Sequence, residues 1–257
     1  MKKIASARVL FGRAWAAAKA TWKTLLPLMA AIQLLSYGLN QLVTALPLPE
    51  LLRSLLTFGV AAIVSVLSVG VTNGMLGYQR GKTLGYDCIG SMLPHAGKVI
   101  CLFLLMFLCV FAWMLPGMGA MLVGGVMIVL GQNVPVVALL GGLLTIAGMA
   151  AALVLACYAL FGYGMSNCIL IDAPAAGVSS ILRQSKFMMH GYRWHYFKVG
   201  LPVMACVFVL GVLTGALTSV LPLWLSSLIS ALVSAATATM GQCTCPVMYE
   251  ELRRIGR

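Results

Sequence analysis

Charge is what this chain lacks. Of its 257 residues only 9% are Asp, Glu, Lys or Arg, against about 25% in a soluble globular domain. A chain so poor in charge cannot cover a water-facing surface, so its outer surface is expected to face lipid. Negative charge is scarcer still. The five acids are Glu50, Asp87, Asp172, Glu250 and Glu251, and none lies inside a long apolar run. Ionisable groups within a bilayer are costly and mark ion or proton pathways. Coupled transporters usually carry buried carboxylates or broken helices, and the lack of the first counts against secondary active transport. No phosphate-binding glycine loop, nucleophile elbow or HExxH occurs. Asp87 with His95 is the one acid/His neighbourhood, and an embedded enzyme would need both to converge with Asp172. The loops leave no room for a soluble catalytic domain. The expectation is therefore a non-enzyme, with no catalytic residue and no cofactor.

Paired cysteines at metal-ligand spacing are also missing. Of eight cysteines, Cys101, Cys109, Cys157 and Cys206 fall in apolar stretches, where free Cys behaves as a small hydrophobe. Cys88, Cys168, Cys243 and Cys245 fall near the face expected to be cytoplasmic and reducing, so no disulfide framework is expected. Cys243 and Cys245 are closer in sequence than the ligand pairs of structural zinc sites and have no matching pair. No metal site is assigned, although Cys88, Cys168, His95, His190 and His195 lie on the same expected face.

What the chain has is apolar length. It is 61% hydrophobic, with a mean hydropathy of +1.02. A helix needs about 20 apolar residues to cross a bilayer core about 30 Å thick, and the runs at 25–46, 55–78, 99–130, 136–163, 199–221 and 223–242 meet that need. Six cations precede the first run, three (Arg80, Lys82, Lys98) lie between the second and third, four (Arg183, Lys186, Arg193, Lys198) between the fourth and fifth, and three follow the sixth. These sixteen fall on one side and Arg53 alone on the other. Excess Lys and Arg mark the cytoplasmic side, so both termini are expected there. The net charge of +12 is thereby explained without nucleic acid. The apolar run starting at Leu25 is too late and too long for a cleavable signal peptide. The fold expected is an all-α polytopic transmembrane bundle of about six spans, 25–257, preceded by an amphipathic segment, 1–24.

The run 99–130 is long for one crossing, and Pro116-Gly117 sits in its middle. Three readings are open: one helix kinked at Pro116, a crossing that ends there with a re-entrant tail, or a hairpin. The hairpin would place 183–198 on the wrong side of the charge rule, so a kinked or broken span is preferred.

Two amphipathic segments are expected on the cytoplasmic side. In the first, Ile4, Phe11, Trp15 and Trp22 share a helix face with Ala7, Ala14 and Ala18, flanked by Arg8, Lys19 and Lys23. This is the pattern of a helix lying in the membrane interface. In the second, 172–198, Asp172 is expected to cap a helix with Pro174 in its first turn. Val178, Ile181, Leu182, Met188 and Met189 line one side, and Gly191 ends it. An aromatic and basic belt from Tyr192 to Lys198 follows. Contact with anionic lipid or a partner is assigned to Trp15, Lys19, Trp22, Lys23, Arg183, Lys186, Arg193, Trp194 and Lys198. Gly70, Gly74, Gly77 and Gly81, and Gly211 with Gly215, are read as helix-packing faces.

Several stretches resemble a bacterial integral membrane family, domain of unknown function 975. They are Arg80-Gly81-Lys82; Trp113-Met-Leu-Pro116-Gly117; Ile169-Leu-Ile-Asp172-Ala-Pro174; Ser185-Lys-Phe-Met-Met-His-Gly191-Tyr-Arg-Trp194 with Phe197; and Pro246-Val-Met-Tyr249-Glu-Glu. The apolar stretch after Pro116-Gly117 is longer than the family pattern. The resemblance implies a bacterial cytoplasmic-membrane protein and no established activity. It also extends, distantly, to the membrane domains attached to some glycerophosphodiesterases. The function expected is a membrane scaffold or accessory protein that binds membrane lipids or a membrane-protein partner. The alternative is a permease or channel for a small or apolar solute.

Overall fold

The computed structural model describes residues 4–131, 134–218 and 223–255, and of 217, 218, 223, 224 and 226–228 the backbone alone. Among these residues there is no strand. The helices are α1 (Ala7–Ala45), α2 (Glu50–Gln79), α3 (Ala96–Leu130), α4 (Pro135–Tyr163), α5 (Ser166–Asp172), α6 (Val178–Met188), α7 (Arg193–Thr218) and α8 (Leu223–Ile255), with a 3-10 segment at Tyr86–His95 before α3. Five stretches are long and apolar enough to cross a membrane: Ala7–Ala45, Glu50–Gln79, Tyr86–Leu130, Pro135–Asp172 and Arg193–Ala216. The fold is an all-α bundle of apolar helices. The sixth expected span, 223–242, falls on α8, a helix of 33 residues. The expected break at Pro222 and the end of the fifth span, 219–221, lie outside the described residues, as do Lys2, Lys3 and Arg257.

One end of the bundle gathers the chain's cations. The Ala5 N–H donates to Glu251 Oε1 at 3.2 Å, joining the chain just before α1 to the end of α8. Arg80, just past α2, reaches Asp172 at the end of α5 and Glu250 near the end of α8, each at 2.7 Å. Lys98, in the first turn of α3, donates to the Pro174 carbonyl. This is called the basic end below. The turn 46–49, the end of α3 at Leu130 and the starts of α4 and α8 form the far end.

Two expectations change and one choice is decided. The segment 1–24 is not a separate interfacial helix: α1 runs unbroken through Leu25 with Pro27 inside it. Leu10, Ala14, Ala17, Ala18 and Thr21 are buried, and α1 packs mainly on α8. The small alanines that flank the aromatic stripe let the helices approach, while Trp15 and Trp22 stay exposed. Of the three readings of 99–130, the single helix holds, and the hairpin and the crossing ended at Pro116 fall. α3 is continuous over 35 residues, about 52 Å at 1.5 Å per residue, and the chain reverses after Gly131. Asp172 does not cap the helix expected to end at Gly191. Asp172 ends α5, a turn follows, α6 starts after Gly177, and Arg193 already belongs to α7. Gly191, at φ 83°, lies in the turn after α6.

The α3–α4 hairpin is held by close backbone approach. A Cβ on Gly117 would stand 2.5 Å from Ala152 N, one on Gly141 2.7 Å from Gly124 O, and one on Gly148 2.7 Å from Met121 N. Gly117, Gly124 and Gly131 recur every seven residues, as do Gly141 and Gly148, which keeps them on one seam of two antiparallel helices. The glycine faces expected elsewhere do different things. Gly70 and Gly74 seat the 3-10 segment rather than a helix, with Ile89 O 2.5 Å from a Cβ on Gly70. Gly211 has nothing within 4 Å of an added Cβ.

The most buried side chains collect towards the basic end: Leu10 of α1, Met75 and Leu76 of α2, Met165, Ile169 and Leu170 around α5, Ile181 of α6 and Met248 of α8. The short α5 and α6 wedge between the long helices and close that end. Most of α3, α4 and α7 presents apolar side chains outward, the surface that a lipid environment takes.

Candidate functional site at the basic end

Asp172 is the hub of the charged network. Its Oδ1 accepts from Arg80 Nη1 at 2.7 Å, and its Oδ2 from Arg80 Nη2 at 2.8 Å and from the Tyr249 hydroxyl at 2.9 Å. Arg253 Nη1 stands 3.0 Å from Oδ2. Arg80 Nε donates to Glu250 Oε1 at 2.7 Å. The fork of the guanidinium matches a carboxylate bidentately, so one arginine joins the ends of α2, α5 and α8. Burial pushes the Asp172 carboxyl up, but Arg80, then Tyr249 and Arg253, outweigh it and hold the group below its ordinary range. Asp172, ahead of the opposing effect of burial, and Glu250 hold the Arg80 guanidinium above its ordinary value. Burial, with Asp172 accepting its proton, raises the Tyr249 hydroxyl. Two arginines face two carboxylates, so the network neutralises itself and leaves no free base or nucleophile.

Beside it, Arg13 pairs with Glu251 at 3.1 Å and His195 Nε2 meets the Ala5 carbonyl at 2.9 Å. Cys168 and Cys245, on α5 and α8, bring their sulfurs to 3.5 Å. Among the described residues no group of three His, Cys, Asp or Glu stands close enough to hold a metal ion. Asp87 is exposed on the 3-10 segment, and neither it nor His95 is among the Asp172 partners.

Three of the basic end's four acids are thus engaged with cations, and among the described residues its lysines are exposed and outside these ion pairs. Two of these lysines stand with tryptophans. Lys19 Nζ lies 5.5 Å from the Trp15 ring, and Lys198 Nζ 5.7 Å from the Trp194 ring, which stacks on Phe197 at 5.0 Å. Trp15, Lys19 and Trp22 line a groove between α1 and α7 of about 640 Å³. Its other wall is apolar: Pro202 and Cys206 of α7, and Met240 of α8 at the back. Trp194, Lys198 and Pro202 follow at intervals of four on α7, so they share a face, and the second Lys–Trp pair flanks the groove below Pro202. The walls have the apolar character an acyl chain takes, and Lys19 adds a cation to the lining.

The other expected contacts are placed differently. Lys23, Arg183 and Lys186 are exposed but do not line the groove. Arg193 turns inward, its guanidinium 4.1 Å from the Tyr158 ring, with Nε and Nη1 buried and without a partner. Ser185 is buried and donates to the Gly162 carbonyl at 3.1 Å. Sequence reading missed the hub role of Asp172 and its partners Glu250 and Arg253. The available signal was that Asp172 and Glu250 are two of only five acids. It also missed the α7 and α8 walls of the groove, whose apolar residues look like any lipid-facing side chain.

No family model matches the chain, and no curated protein and no solved structure matches it.

Proposed function

We propose that this is a multi-pass, non-enzymatic scaffold or accessory protein of a bacterial cytoplasmic membrane, both termini cytoplasmic, that binds an anionic phospholipid at its basic end. The observation that carries the reading is the α1–α7 groove, apolar along its walls and flanked by Lys19 and Lys198, each beside a tryptophan. The cation asymmetry supports the orientation, and surplus lysines attract an anionic leaflet at about 1 kcal/mol each. The resemblance to domain of unknown function 975 supports the bacterial assignment. The alternative, a permease or channel, draws on a separate polar cleft between α1, α2 and α3.

The test is native mass spectrometry of the intact protein released from mixed micelles of phosphatidylglycerol and phosphatidylcholine. Phosphatidylglycerol is expected to remain bound preferentially. The Lys19→Ala/Lys198→Ala variant is expected to lose that preference several-fold, and Lys82→Ala to keep it. Equal retention of the two lipids by the unaltered protein would overturn the reading.

A further inference from the structure

The apolar spans contain one cleft with a different lining. About 400 Å³ in volume, it lies among α1, α2, α3 and the start of α5. Ser36 and Asn40 face it from α1, Thr57, Ser65 and Ser68 from α2, and Asn167 from α5. The remaining wall is apolar, with Leu102 and Phe103 of α3, and no ionisable side chain lines it. The size falls in the range of small-molecule pockets, about 300–1,000 Å³.

The hydrogen-bond bookkeeping gives the cleft a polarity. Ser65 Oγ donates to the Ala62 carbonyl at 2.7 Å and Thr57 Oγ1 to the Arg53 carbonyl at 2.9 Å, so these hydroxyl protons are used within α2. Those two oxygens offer the cleft lone pairs, while the Ser36 and Ser68 hydroxyls and the Asn167 amide add groups that both donate and accept. Asn40 Nδ2 donates to the Ser36 carbonyl at 2.9 Å, while Asn40 Oδ1 is buried with no partner. An ion would find no countercharge. The lining asks for an uncharged molecule that both donates and accepts hydrogen bonds.

The cleft also has a route to water. A second, shallower cavity shares Thr57 and Ala61 with it and continues to Arg53 and Ser54 in the first turns of α2. Arg53 is the single cation on the far side of the charge count, a residue that stays at a membrane boundary.

We propose that this cleft is a binding site for a small, uncharged, water-soluble molecule rich in hydrogen-bonding groups, such as a polyol or a primary amide, entered from the far end beside Arg53. The site is independent of the lipid groove between α1 and α7.

The experiment uses the full chain in nanodiscs, with the eight natural cysteines replaced and a single cysteine at Ser65→Cys or at Ile63→Cys, which is exposed on the outside of α2. Each is treated with a charged, water-soluble methanethiosulfonate, with and without glycerol as the probe ligand. Ser65→Cys is expected to react at least about tenfold faster than Ile63→Cys, and glycerol to slow it several-fold. Adding Asn40→Leu is expected to abolish the glycerol effect while fast labelling persists, which also shows that the variant has kept its cleft. Labelling of Ser65→Cys as slow as that of Ile63→Cys would mean that lipid fills the cleft, and would overturn the proposal. Fast labelling indifferent to both glycerol and formamide would overturn it too, leaving a crevice that holds only water.

Discussion

Around Asp172, two arginines, a tyrosine and a second carboxylate tie α2, α5 and α8 together through bonds of 2.7–3.0 Å. Along the α3–α4 hairpin the same task falls to hydrogen atoms: glycines bring backbone within about a carbon's width of backbone. The two solutions suit their surroundings. Apolar burial gives helices no reason to associate in lipid, so packing area must be gained by close approach. At the membrane boundary directional charged bonds hold, provided that each member is satisfied. The hairpin should therefore be intolerant of added volume and indifferent to pH, and the charged end the reverse.

Gly148→Val gives the largest expected effect. Its Cβ would lie 2.7 Å from Met121 N and 2.8 Å from Gly117 O, backbone atoms that move only if the helices separate. Overpacking costs about 1–3 kcal/mol where side chains can give way, and here the upper value or more is expected. A fall of roughly 10 °C in the melting midpoint in detergent would follow. Gly125→Ala, on the same hairpin with nothing within 4 Å of its Cβ, should leave the midpoint unchanged or slightly raised. Equal losses from the two would break the assignment of the seam.

Asp172→Ala comes next. It removes the shared partner of Arg80, Arg253 and Tyr249. Breaking a fully buried pair costs about 3–5 kcal/mol. The Arg80 side chain is 33% exposed and keeps Glu250, so about 2 kcal/mol is expected after screening. Far-ultraviolet circular dichroism melts would read it as a loss of several degrees. No change in the midpoint would show that the network is decorative.

Acid should find the same carboxylate. With its folded pKa held below the ordinary value, Asp172 contributes stability that is complete above the unfolded carboxylate range, about pH 4. The contribution is lost as pH falls through the lower, folded value. Melting curves of the unaltered protein between pH 5 and pH 3 should show this loss. Asp172→Asn should begin lower at pH 5 and show a shallower acid limb. If both limbs had the same slope, other carboxylates would carry the acid response.

How much of this was legible differs between the two regions for a physical reason. The apolar runs were readable because a bilayer demands length, and the helix limits of α2, α3 and α4 fall within five residues of those runs. The continuity of α1 was not readable. An aromatic and basic stripe looks the same whether its alanine flank rests on lipid or, as here, on α8. Pro116 left a single helix, a broken crossing and a hairpin open because proline breaks soluble helices, whereas in membrane helices neighbouring groups re-satisfy the freed carbonyl. Asp172 reads locally as a cap before Ala173-Pro174, but its partners stand 92 and 77 positions away, and single-sequence patterns do not reach so far. The hairpin seam was missed because four-residue glycine spacing was sought, while Gly117, Gly124, Gly141 and Gly148 pair at intervals of seven.

Gly211 gives the smallest expected effect and the sharpest check on that lesson. It has the four-residue spacing to Gly215 that suggests a packing face, yet an added Cβ would meet nothing within 4 Å, because a cavity separates Gly211 from Ser234 and Thr237 of α8. A glycine in a helix interior costs up to about 1 kcal/mol relative to alanine, so Gly211→Ala should be neutral or raise the midpoint by a degree or two. A loss like that from Gly148→Val would mean that α7 closes on α8 across that cavity in the membrane. The seven-residue seam of α3 and α4 would in that case be one of two glycine interfaces within the bundle.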